Sequence, residues 1–343
     1  MAVTIRDIAE YCHVSVATVS KALNGYDDIS HATRERVRQA VAALGYLPNG
    51  HAQALKTHRS YNLGIVFTDR KNHGLRNSFF AGLLSAFREE AAREGYDITF
   101  ISQSLGQRAA NYLEHSQYRH VDGVCIASVD FEDPGVLALV RSEIPVVTID
   151  HIYPGTDAVV SDNRQGMSDL IRYIYRRGHR RIGLLHGEMS SVTRMRIDAM
   201  RQTLAELGCP AAPDAIRPGY YHDPDATQRE TARWLNAPHA PTCLILSDDF
   251  SAIGARKAVQ SRGMTIPGDI SLAGFDGIDL ARTLTPPLTT VWQDTDRIGV
   301  EAARRLIARV NGQSLPPSPV FIPTRLLPGG TVGQIDPPGS AWA

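Results

Sequence analysis

Val3–Asn24, VTIRDIAEYCHVSVATVSKALN, is the stretch on which the reading of the whole chain turns. It divides into two short helices joined by a tight turn. Thr4 stands where a hydroxyl can cap the exposed amides of a first helix, and Asp7 falls in the positive first turn three residues later. Ile5, Ile8 and Ala9 then share one face. Ser15 can cap a second helix over 16–23, with Val19, Ala22 and Leu23 turned inward and Val16, Ala17, Ser20 and Lys21 pointing elsewhere. Cys12-His13-Val14 gives only about one turn of connection, so the helices must cross steeply. The major groove of B-DNA admits one such helix, and base edges there are read by residues near its N-terminus. An ordinary helical hairpin inside a larger core satisfies the same spacing.

The next residues extend the pattern. Asn24-Gly25 stops the second helix, Ser30 caps a third over 31–44 with Val37, Val41 and Leu44 at helical spacing, and Gly45 terminates it. Arg34, Arg36 and Arg38 lie partly outward, as a solvated basic face or as phosphate contacts. Pro48-Asn49 punctuates the chain, and the weakly helical GHAQALK that follows is too short to be stable as a free helix.

VTIRDIAEYCHVSVATVS at 3–20, taken with PNGHAQAL at 48–55, resembles the DNA-binding headpiece of the LacI/GalR family of bacterial transcription regulators, and family-like segments continue almost to the C-terminus. The resemblance implies a hinge helix that orders on operator DNA, pairs with its dimer mate and drives Leu55 into the minor groove, with Ala52 in the close-packed position. An apolar wedge of this kind unstacks a base step and kinks the duplex. By the same resemblance, DNA contacts fall to Thr4, Ser15, Val16, Ala17, Thr18, Ser20, Lys21, Asn24, Asn49, Ala52 and Leu55. Val16 and Ala17 offer mainly apolar contact, so hydrogen bonding to bases rests on Lys21 and Ser20.

Composition sets outer bounds. The chain has 343 residues, enough for two or three folding units, and equal numbers of basic and acidic side chains. Zero net charge argues against binding nucleic acid over the whole surface; in residues 1–60 the cations exceed the anions by only two. No apolar run is long enough for a membrane span, and the N-terminus lacks a secretory pattern, so a cytoplasmic protein is expected. Cys12, Cys125, Cys209 and Cys243 are far apart and read as buried free thiols, and nothing points to a metal or cofactor.

From Tyr61 the character changes. Strand-like runs at 63–67, 98–102, 121–127 and 145–150 alternate with helical ones, and a second series follows Ser161-Asp162, with strands from 181, at 242–247 and at 270–275. Alternation of this kind implies parallel sheets covered by helices. The expected fold is an all-α helix-turn-helix headpiece joined to an α/β, periplasmic-binding-protein-like, two-lobed domain with two parallel Rossmann-like sheets. The expected plan is a headpiece over 1–47, a hinge helix and linker over 48–60, and an effector-binding and dimerisation domain over 61–343. Its N-lobe covers about 61–160 and 293–321, its C-lobe about 161–291 and 322–343, and the resemblance implies lobe crossings near 160, 292 and 322. The C-terminal LPGGTVGQIDPPGSAWA has no leucine heptads, so a dimer is expected.

Ligands of open parallel sheets bind beyond the carboxyl ends of the strands. Asp150, Ser247-Asp248-Asp249 and Asp276 stand at such ends, although each taken singly is commonly a helix cap. The resemblance matches Arg196 and Asp276 to the residues that grip a family effector, a pairing of donors and acceptor that suits adjacent sugar hydroxyls. Asp248 stands where asparagine is frequent in the family, which favours a neutral polyol over an anionic effector. Asp162 can reach the ligand or cap a helix. Phe79, Tyr220 and Trp292 are the candidate stacking aromatics, with Phe80 read as core and Tyr221 as an alternative to Tyr220.

Enzyme signatures such as GxGxxG after the first strand, GxxxxGK[ST], GxSxG and HExxH are absent, and no acid–base pair brackets a scissile bond. The expectation is a non-enzymatic, dimeric repressor on near-palindromic double-stranded operator DNA, controlled by a small-molecule effector, a sugar, held between the lobes. Inducer and corepressor action both fit, as do activation at some promoters and a sugar sensor without a DNA role.

Overall fold

In the computed structural model the described residues are 3–46, 59–68, 74–313 and 316–336. Met1–Tyr61 and Asn62–Ala343 form two compact units.

The first unit holds three helices, α1 (Ile5–Tyr11), α2 (Val16–Leu23) and α3 (His31–Leu44). Thr4 is the N-cap residue of α1, and Asp7 completes the capping box: its carboxylate accepts from the Thr4 amide at 2.7 Å and the Thr4 hydroxyl at 2.8 Å. Those bonds hold the Asp7 carboxyl below the usual range. Ser15 and Ser30 accept from the Thr18 and Thr33 amides, as short polar side chains do at an N-cap. Ile8, Ala9, Cys12, Val19, Ala22, Val37 and Ala40 make the core. Leu23, expected inside, is 37% exposed, because Ala22 takes the inward position in the last turn of α2. The expected hinge residues Asn49, Ala52 and Leu55 lie outside the described residues.

The second unit has two parallel sheets. The first comprises β1 (Asn62–Phe67), β2 (Asp97–Ile101), β3 (Gly123–Ala127), β4 (Val146–Ile149), β5 (Asp157–Ser161) and, from far along the chain, β11 (Pro319–Ile322). Their spatial order is β11-β5-β4-β3-β1-β2. The second comprises β6 (Ile182–His186), β7 (Ile216–Pro218), β8 (Cys243–Ile245) and β9 (Ser271–Ala273), in the order β9-β8-β6-β7. Strands β3, β4 and β5 are buried end to end, as expected where helices cover both faces. The helices before the second sheet are α4 (Ser78–Arg93), α5 (Tyr112–Tyr118), α6 (Pro134–Val140) and α7 (Asn163–Arg176), and α8 (Ser191–Glu206) lies between β6 and β7. Then follow α9 (Pro224–Leu235), α10 (Ser251–Gln260), α11 (Asp279–Thr283) and α12 (Thr295–Val310).

Three connections join the lobes. The chain passes from β5 into α7, from β10 (Thr290–Trp292) into α12, and from β11 into β12 (Arg325–Leu327), which pairs antiparallel with β10. Helix α12 returns to the first lobe and packs on α4 so closely that a Cβ at Gly299 would lie 2.3 Å from the Leu83 carbonyl. Asp157, buried at the start of β5, pairs with Arg305 and Arg309 of α12 and accepts from the Ser318 amide. This pins α12 and the return strand β11 to the middle of the first lobe. Cys12, Cys125 and Cys243 are buried free thiols and Cys209 is half-buried. Among the described residues no helix is long and apolar enough to cross a membrane.

Candidate effector cleft and DNA-reading face

A cavity of about 480 Å³ opens between the lobes of the second unit. Its wall is built from the carboxyl ends of strands in both sheets: Phe67-Thr68 after β1, Ser128 after β3, Asp150 after β4, Glu188 after β6, Asp248 after β8 and Asp276 after β9. Four of these wall residues, Ser128, Asp150, His222 and Asp276, hold a left-handed backbone with φ of 51°, 61°, 56° and 112°. Non-glycine residues rarely adopt that conformation, and where packing enforces it the cost is commonly met at binding sites.

Arg196 is the cationic centre. It sits in α8, one and a half turns beyond the Ser190 cap, and is almost fully buried. Its Nε donates to Asn163 Oδ1 at 2.8 Å, its Nη1 donates to the Ser247 carbonyl at 3.0 Å, and its guanidinium carbon lies 3.6 Å from the Phe275 ring centre. Nη2 has no hydrogen-bond partner among the described residues.

Carboxyls surround this group. Burial pushes Asp150 up to about 6 against the opposing pull of Arg196 and the Ser161 amide. Burial also raises Asp276 well above its ordinary value, against Arg196 and with the repulsion of Asp248 and Asp249 added. Asp276 accepts from Gln293 Nε2 at 2.7 Å. Gly277, with φ of 70°, follows because a Cβ there would fall 2.5 Å from Trp292 Cα. Asp248 is committed to the main chain, one oxygen accepting from Ser251 N and the other from His222 N, both at 2.7 Å. Asp249 lies behind the wall, raised to about 8 by burial, where it accepts from Thr290 and the Ile278 amide.

The remaining wall is aromatic. Phe79 and Phe80 meet edge to face at the start of α4, both in the wall, so Phe80 is not core alone. Phe131 stacks on His151 with 4.3 Å between ring centres, and Tyr153 closes on the same histidine. Ser191 at the start of α8 spans the lobes, donating to the Asp150 carbonyl at 2.8 Å and lying 3.3 Å from His151 Nδ1. Tyr221 joins the wall through its ring and is 2.8 Å from the Thr193 hydroxyl.

Phe79, Arg196, Asp248 and Asp276 therefore share one wall, and three other expected residues do not join them. Asp162 is occupied as the cap of α7, accepting from the Gln165 amide at 3.0 Å. Tyr220 is 46% exposed, its carbonyl taken by Ser247, and its neighbour Tyr221 turns inward instead. Trp292 packs against Gly277 and under Arg325. Asp150 was legible as a strand-end carboxylate; Gln293 and the Phe131–His151 pair carry no sequence signal of their own. No group of three or more His, Cys, Asp or Glu side chains among the described residues could hold a metal ion.

On the first unit Val16, Ala17, Ser15 and Lys21 are exposed on α2, while Thr18 and Ser20 are half-buried. Lys21 is ion-paired with Asp28 across the turn after the helix. Asn24 donates its side-chain amide to the Ser20 carbonyl at 2.6 Å and so closes the helix end.

Residues 4–49 match the bacterial regulatory proteins of the lacI family, and residues 171–332 match the periplasmic binding protein-like domain. The chain is 28% identical over 316 residues to the HTH-type transcriptional repressor PurR of Pasteurella multocida, covering 91% of this chain and 93% of that one. It is 29% identical over 317 residues to the repressor CytR of Escherichia coli K12, with 91% of each chain covered. A crystal structure of the Lac repressor dimer bound to operator and the anti-inducer ONPF superposes with a TM-score of 0.83 at 26% identity, over 97% of this chain and all of that one. A headpiece and a two-lobed domain matched in the same order over nearly the full length lead to one assignment: the chain belongs to the lacI family of bacterial regulatory proteins, as a DNA-binding transcriptional repressor.

Proposed function

We propose that the protein acts as a homodimer on a near-palindromic operator and that a small, hydroxyl-rich effector of the sugar class, bound between the lobes, sets its affinity for DNA. The observation that carries this reading is Arg196, buried among carboxyls in a cavity whose wall is shared by both lobes. A ligand there touches both sheets, so it favours one lobe angle over another. Any such preference must alter DNA affinity by the same factor that DNA alters ligand affinity.

The DNA-reading face is the exposed side of α2, with Val16 and Ala17 for apolar contact and Lys21 and Ser20 for hydrogen bonds; Thr4, Ser15, Thr18 and Asn24 fix the helix ends or meet the backbone. Asn49, Ala52 and Leu55 complete the interface at the centre of the site, as the family likeness implies. Asp276 serves as a binding group and Asp248, with both oxygens held by main-chain amides, supports the wall beside it, so the two are not an acid–base pair. The Lac repressor dimer to which the chain is similar was crystallised with the anti-inducer ONPF, which supports a small-molecule occupant for a cavity of about 480 Å³.

A thermal-shift panel of mono- and disaccharides, neutral and amine-bearing, tests the effector half. A ligand at a hundred times its Kd stabilises the native state by about 2.7 kcal/mol. A saturable rise with one sugar, lost in an Arg196 variant, is expected; no rise with any member removes the sugar reading.

A further inference from the structure

We propose that the effector carries a protonated amine, an amino sugar or amino-polyol whose ammonium is drawn to the open carboxyl oxygens of the cleft wall, those of Asp276 and Asp150. This rests on the reading of the cleft as the effector site and narrows it. The described wall carries six acidic side chains against two arginines, Arg194 and Arg196. Asp150 and Asp276 both feel Arg196, so one cation is shared between them, and Asp248 adds further negative charge beside Asp276. A sugar without charge leaves that excess in place.

The hydrogen-bonding inventory points the same way, independently of charge. Gln293 is buried in the wall with its amide nitrogen spent on Asp276, and its Oε1 is a buried acceptor with no donor among the described residues. Asp150 uses one oxygen on the Ser161 amide, and Asp276 uses one on Gln293, which leaves the second oxygen of each without a partner among the described residues. Arg196 Nη2 is the facing donor, since Nε and Nη1 are already engaged. Three open acceptors therefore meet one open donor. A hydroxyl brings one donor and needs acceptance of its own, whereas an ammonium brings three donors and no acceptor. The amine is placed at an open carboxyl oxygen of the wall, and neighbouring hydroxyls face Arg196. The rings of Phe79, Phe131 and Tyr221 complete the wall with faces on which a sugar ring, or the cation itself, can rest.

This proposal departs from the neutral polyol expected from Asp248: Asp248 is held by backbone amides, and the open acceptors belong to its neighbours.

The test is calorimetric titration of the full-length protein at pH 7.5 with matched sets, each an amino sugar or amino-polyol, its parent neutral compound and its N-acetyl form. At least one free amine is expected to bind more than about tenfold tighter than both its partners, the discrimination typical of a charge-assisted bond. Asp276→Asn and Asp150→Asn are each expected to lose most of that preference, the free amine weakening by more than its neutral parent in the same variant. Equal or better binding of a parent sugar overturns the amine and leaves the sugar-effector reading standing. Failure of every compound, charged or neutral, to bind below millimolar concentration overturns both.

Discussion

Gln293 and Asp276 are joined twice, side chain to side chain at 2.7 Å and Gln293 amide to Asp276 carbonyl at 3.1 Å. Gln293 directly follows the crossing strand β10 and precedes α12 of the first lobe, whereas Asp276 ends a strand of the second. A ligand on Asp276 thus pulls on the segment that connects the lobes. Gln293→Met keeps the volume and removes the side-chain bond. Couplings of this kind run to about 5–150-fold, and the variant should lose most of the effector-dependent change in operator affinity, measured by anisotropy, while still binding operator without effector. An unaltered ratio would assign the coupling to another crossing.

Arg196→Lys keeps a cation but not the forked geometry on Asn163 and Ser247. Loss of a charged hydrogen bond costs about 1.5–3 kcal/mol, so effector affinity should fall by about 10- to 150-fold. Operator affinity in the absence of effector should hold within a few-fold. A variant that responds normally to effector would remove Arg196 from the ligand.

The raised Asp150 carboxyl makes stability depend on pH with a definite sign. Its folded value, about 6, exceeds that of the unfolded chain, so the folded state binds the proton more tightly and the cost of burying the charge disappears as pH falls through about 6. His151 and His179, both lowered by burial, pull the opposite way near their ordinary value. The informative quantity is a difference. Asp150→Asn should be more stable than the wild type at pH 7.5, and the gap should close by pH 5 in thermal melts; a constant gap would mean that Asp150 does not titrate there.

Lys21, proposed above as the principal polar reader on α2, is ion-paired with Asp28. An exposed pair of this kind adds little stability, but it presents an anion beside the helix that must approach phosphates. Asp28→Ala should tighten binding to any duplex and steepen the salt dependence by about one ion, since each phosphate neutralised contributes a slope near 0.9. Base preference at the Lys21 position should persist. A drop in that preference would make Asp28 itself a reader of bases.

Much of this arrangement is legible in the sequence. Helix starts at Ser15 and Ser30, the stop at Gly45 and the alternation from Asn62 onward follow from local chemistry that tertiary contacts leave intact. Arg196, Asp248 and Asp276 could be named because strand ends and a family likeness mark them. Orientation was not legible. Tyr220 and Tyr221 are neighbours of identical type, and only the turn before His222 decides which ring enters the cavity. Asp162 reads equally as ligand or cap until the Gln165 amide is found on it. Gln293 is an unremarkable polar residue in sequence and becomes significant only through a lone buried oxygen.

The most direct test of the central claim is selection of bound duplexes from a random pool by the full-length protein at physiological salt, followed by titration of the enriched site. Specific family-type recognition gives affinities about 10³–10⁷-fold above non-specific binding. Two half-sites in inverted repeat about a deformable central step, bound by two chains and weakened by Leu55→Ala, are the predicted result. Enrichment of no sequence, or of one unrepeated half-site bound by a single chain, would contradict a dimeric operator-binding repressor.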